Sequence, residues 1–63
     1  MRVGDLIKPL SNYGWSAIGI VIEIAENPVI PVIFVRWVSG VYVKVGDSGW
    51  YHREFFEVIS ESR

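Results

Sequence analysis

Between Ile18 and Ala25 an isoleucine stands at every second position, Ile18, Ile20, Ile22 and Ile24, with Gly19, Val21, Glu23 and Ala25 between them. A period of two marks a strand, because successive side chains on an extended backbone point to opposite faces and β-branched residues suit the pleat. A helix would scatter the same isoleucines around its circumference. The isoleucine face is expected to look inward; Val21 opposite is also apolar, so a slip of one residue would exchange the faces.

The rest of the chain reads as shorter strands joined by turns. Val3 to Lys8 predicts a first strand entered through Gly4-Asp5 and ended by Pro9, which cannot donate to a ladder. Leu10 to Ala17, with Ser11, Asn12 and Gly14, predicts a loop. Glu26-Asn27-Pro28 predicts a turn, and Pro31 keeps Val29-Ile30 from being the middle of a central strand. Val32 to Val38 follows, with Ile33, Val35 and Trp37 inward and Val32, Phe34 and Arg36 outward, because a charged residue marks the solvent side. After Ser39-Gly40 the residues Val41, Val43 and Val45 alternate with Tyr42 and Lys44, which predicts a fourth strand with an aliphatic inner face. Gly46 to Gly49 is a strong turn, Arg53-Glu54-Phe55 suits a single 3₁₀ turn, and Phe56 to Ile59 suits a last strand before the polar tail of residues 60–63.

Four to five short strands without an amphipathic helix predict one all-β domain over residues 1–63, a small barrel of antiparallel strands. Its expected core is Val3, Ile7, Ile20, Ile22, Ile33, Val35, Trp37 and Val58. A domain of this size buries only about 60% of the surface its unfolded chain exposes. With no cysteine for disulfides and a single histidine for metals, association with another chain is the remaining way to add stability. The hydrophobic fraction of 51% and mean hydropathy of +0.32 agree with a homo-oligomer or a protein partner.

Charge restricts the partners further. Six Lys and Arg against seven Asp and Glu, a net charge of −1, give no global attraction to phosphate backbones. The charge-free run from Pro9 to Ile22 is shorter than the about 20 apolar residues that span a bilayer. With Met1-Arg2 leading directly into a strand, neither a leader nor a membrane span is expected, and a cytoplasmic location is the default expectation.

The segments Val3-Gly4-Asp5-Leu6-Ile7, Gly19 to Ile24, Phe34-Val35-Arg36-Trp37 and Trp50 to Ile59 together resemble the short SH3-like barrel proteins encoded by tailed phages, marine cyanophages in particular. That resemblance covers nearly the whole chain and implies an SH3-like barrel of about five short strands in the host cytoplasm. It implies no activity, since those phage proteins generally have no assigned function. The chain departs from the pattern between Val41 and Gly49, longer than the usual hairpin. A more distant similarity is to the single-barrel dihydrofolate reductases carried on plasmids, which begin near Val-Gly-Asp and work as tetramers. Their active pore uses Val-Gln-Ile-Tyr where this chain has Ser48-Gly49-Trp50-Tyr51, so only the tyrosine matches. Sm-like proteins share bent strands but begin with a helix, for which the residues before Val3 leave no space.

No catalytic set assembles from the residue types. Ser11, Ser16, Ser39 and Ser48 stand in turn-like contexts, and only His52 could serve any of them as a base, so neither an enzyme nor a cofactor is expected. Asp5 is expected to bind nearby backbone amides, and Glu23 to pair with Arg36 across two strands. Nine aromatic residues in 63 exceed one small core, and Tyr13, Trp15, Trp50 and Tyr51 fall in predicted loops. Such a cluster either forms a groove for a peptide, stacked bases or a neighbouring subunit, or folds over the core as a lid. The candidate binding set is therefore Tyr13, Trp15, Trp50, Tyr51, Phe34 and Arg36, with protein interaction and self-association as the leading expectation. Single-stranded nucleic acid is the alternative, using the same aromatics with Lys8, Arg36, Lys44 and Arg53, and a pore-forming reductase ranks last.

Overall fold

In a computed structural model of the protein, the structure describes residues 1–25 and 31–60. The expected turn at Glu26-Asn27-Pro28, Val29-Ile30 and the tail beyond Ser60 lie outside the described residues. The fold is all-β, with strands β1 (Leu6–Pro9), β2 (Ala17–Ala25), β3 (Val32–Gly40), β4 (Ser48–His52) and β5 (Phe56–Ser60). These make one antiparallel sheet in the order β4-β3-β2-β1-β5. Single 3₁₀ turns at Ser11–Tyr13 and Arg53–Phe55 link β1 to β2 and β4 to β5.

The strand entry is local chemistry. Asp5 N–H donates to the Arg2 carbonyl at 3.0 Å around Gly4, whose φ of +95° suits a residue without a Cβ, and Asp5 Oδ2 accepts the Arg2 N–H at 2.8 Å. The expected role of Asp5 is met. The strand itself begins later than expected, at Leu6, so Val3 sits in the turn, 58% exposed, and leaves the predicted core.

The inward face of β2 is the reverse of the one predicted. Ala17, Gly19 and Val21 are buried, Ile18 and Ile20 lie half-buried on the outer side, and Ile22 is exposed. The cause is on β3, where Gly19 stands opposite Trp37: a Cβ at Gly19 would overlap Val35 Cγ1 and lie 3.1 Å from the Trp37 ring. The Val35 methyl and the indole together occupy the space an isoleucine would need. Register shifts at Ile18/Gly19 and Val21/Glu23 then return Ile24 to the core side. They also place Phe34 opposite Glu23 and Ile20 opposite Arg36, so the expected Glu23–Arg36 pair is not in register.

Strand β3 follows its pattern, with Ile33, Val35 and Trp37 buried and Arg36 exposed. The expected strand over Val41 to Val45 does not form; Val41 and Val45 are exposed and only Val43 packs towards the core. The Trp37 N–H donates to the Asp47 carbonyl and the Trp37 carbonyl accepts from Gly46 N–H, both at 2.9 Å, so the chain rejoins β3 only at Gly46-Asp47. Alternation without a partner does not make a strand.

The core is Ile7, Ala17, Val21, Ile33, Val35, Trp37 and Phe56, with Val58 and Tyr51 packed against it. The hydrogen-bonded ladder is open and ends at β4 and β5. Side chains span the gap: Tyr51 of β4 meets Phe56 of β5 edge to face, ring centroids 5.8 Å apart.

Candidate protein interface

The loop aromatics do not form one groove. Trp15 is half-buried and lies edge-on to Trp37 at 5.5 Å and Phe56 at 6.1 Å. Tyr51 lies edge-on to Trp37 at 5.4 Å, and its hydroxyl accepts the Trp37 Nε1–H at 3.2 Å. Both belong to the lid over the core. Trp50 points the other way because it neighbours Tyr51 on a strand, where adjacent side chains take opposite faces. It is 49% exposed, and its ring sits 5.0 Å from Phe34, its register partner on β3.

From Trp50 an aromatic stripe runs along the solvent side. His52 shares the face of Trp50 two residues on and pairs in register with Val32. The His52 ring is 5.4 Å from Phe55 in the second 3₁₀ turn, and Phe55 is 5.4 Å from Tyr13 in the first. The backbone holds these turns together, since Leu10 N–H donates to the Phe55 carbonyl at 3.0 Å. Trp50 with Phe34, and His52 with Phe55 and Tyr13, thus form an aromatic band of two groups along the solvent side, in which Phe34 and His52 are half-buried and the other three exposed. Arg36 flanks it from the outer side of β3, opposite Ser48 of β4. Phe55 was absent from the sequence-derived set, because in a 3₁₀ turn neither period signals which way a side chain points.

The charges around the band are mixed. Arg36, Arg53, Glu23 and Glu54 are all exposed near it, while Lys8 lies on β1 and pairs with Glu57 at 3.4 Å. A separate open cleft of about 360 Å³ adjoins Trp37 and Tyr51 and is rimmed by Tyr42, Lys44, Asp47 and Ser48. Among the described residues no three His, Asp or Glu come together as a metal-ligand set, and no helix is long and apolar enough to cross a membrane.

Comparison with family models, with curated proteins and with solved structures finds no significant match.

Proposed function

We propose that this chain is a non-catalytic protein-interaction module that binds through the band of Trp50, Phe34, His52, Phe55 and Tyr13. The observation that carries the proposal is Trp50, half-exposed and tilted against the Phe34 ring on the solvent side of an edge strand. A tryptophan there gains nothing from the core, whose indole is Trp37, and leaves apolar area in water that a partner would cover. Trp, Tyr and Arg are also the side chains most enriched where truncation costs an interface its affinity, and Arg36 stands beside this band.

Single-stranded nucleic acid fits less well. It would need an excess of cations along the aromatic band, whereas Arg36 and Arg53 there are matched by Glu23 and Glu54, and Lys8 lies strands away, held by Glu57.

The test is peptide display selected against the immobilised protein, with Trp50→Ser and Phe55→Ser as counter-selections and an oligothymidylate titration alongside. The expected outcome is enriched peptides that bind the wild type and lose about 10-fold or more in affinity to either variant. Peptides indifferent to both substitutions, or oligothymidylate bound in preference to every peptide, would sink the proposal.

A further inference from the structure

The hydrogen-bonding phase of β4 reveals what its free edge offers. Partners across β3 and β4 run from Val32↔His52 to Arg36↔Ser48, and the backbone bonds at the two ends set the alternation. Trp37 N–H donates to the Asp47 carbonyl at one end, and Arg53 N–H donates to the Pro31 carbonyl at the other. In an antiparallel ladder the bonded pairs alternate with non-bonded ones, so Gly49 and Tyr51 turn their amides towards β3. Ser48, Trp50 and His52 therefore turn theirs outward, to the open edge of the sheet.

Building on the interaction role proposed above, we infer that the partner is a second copy of this chain, paired β4 to β4 in antiparallel fashion about a two-fold axis through Trp50. The segment Ser48-Gly49-Trp50-Tyr51-His52 is self-complementary in this arrangement. Trp50 of each copy exchanges N–H···O bonds with Trp50 of the other, and Ser48 of each exchanges them with His52 of the other, about six bonds in all. Nothing on this edge opposes pairing: it carries no proline and no Asp, Glu, Lys or Arg. The opposite edge, β5, carries Glu57, held by Lys8. A two-fold axis normal to the sheet keeps the same face of both copies on one side, so each Trp50–Phe34 pair meets its symmetry mate in one continuous apolar strip. One closed symmetric contact thus satisfies the open backbone and covers the exposed indole.

Two measurements test it. Light scattering with size exclusion over a concentration series reads the assembly state, and amide hydrogen exchange on the wild type reads Trp50 directly. The Trp50 amide should become protected as dimer forms, whereas Gly49 and Tyr51 amides are protected in monomer and dimer alike. Ser48→Pro removes an outward N–H that β3 does not use and leaves the aromatic band untouched, so it should weaken the dimer about 10-fold or more with the fold retained. A monomer at about 100 µM overturns the inference and leaves the interaction role to the peptide selection. A dimer with a freely exchanging Trp50 amide, indifferent to Ser48→Pro but dissociated by Phe34→Glu, also overturns edge pairing while supporting the aromatic band as the contact surface. Because the exchange measurement needs no variant, it decides the matter even if Ser48→Pro does not fold.

Discussion

Gly19→Ala is the smallest change that probes the packing of this core. The added Cβ would overlap Val35 Cγ1 and come within 3.1 Å of two Trp37 ring atoms, tighter than ordinary van der Waals contact. Neither neighbour can swing aside, since Val35 is β-branched and fully buried and Trp37 is only 3% exposed, fixed by its bond to Tyr51 and by contacts with Trp15 and Phe56. Overpacking of a rigid core costs about 1–3 kcal/mol, and a site as confined as this belongs at the upper end. Replacing glycine by alanine in a strand returns about 0.5–1 kcal/mol of backbone entropy. The net loss is about 2 kcal/mol, a large part of the roughly 3–5 kcal/mol that a core this size supplies. At about 4–8 °C per kcal/mol for a domain of 60–100 residues, the melting temperature should fall by about 8–16 °C. Thermal and urea unfolding followed by circular dichroism reads this at fixed protein concentration. Combining the substitution with Val35→Ala should recover about 1 kcal/mol or more relative to the sum of the single changes, because the obstructing methyl is gone. A Gly19→Ala variant that melts within about 2 °C of the wild type would show that Val35 and Trp37 do not confine Gly19 as described.

Trp37→Ala removes the central ring of the aromatic cluster and should cost about 3–5 kcal/mol, leaving the chain unfolded or aggregated by circular dichroism; a soluble variant with native-like melting would refute its place in the core. Tyr51→Phe keeps the ring contacts but leaves Trp37 Nε1–H without its acceptor. It should cost about 1–2 kcal/mol as a lower urea midpoint at unchanged slope, and no shift would mean the bond contributes nothing to stability.

The all-β class, the third strand and the 3₁₀ turn before the last strand were legible in the chain because each carries a local signal. Arg36 marks the solvent side of β3, and a charged residue on one side of an alternating run assigns both faces. On β2 both faces are apolar, so hydrophobicity could not choose between them. The choice rests on volume: Val35 and Trp37 need the space that only Gly19 leaves, and that contact joins residues on different strands. The valines from Val41 to Val45 show the converse, a strand pattern that finds no place beside β3, since the backbone groups of Trp37 are already taken by Gly46 and Asp47. The candidate site divided for the same kind of reason. Trp50 and Tyr51 are adjacent aromatics with equal claim on a groove, until pairing of β4 with β3 sends one ring into the core and the other to solvent. Local side-chain chemistry thus selects strands and turns, whereas which face is buried depends on a partner strand whose shape is set by residues distant in the chain.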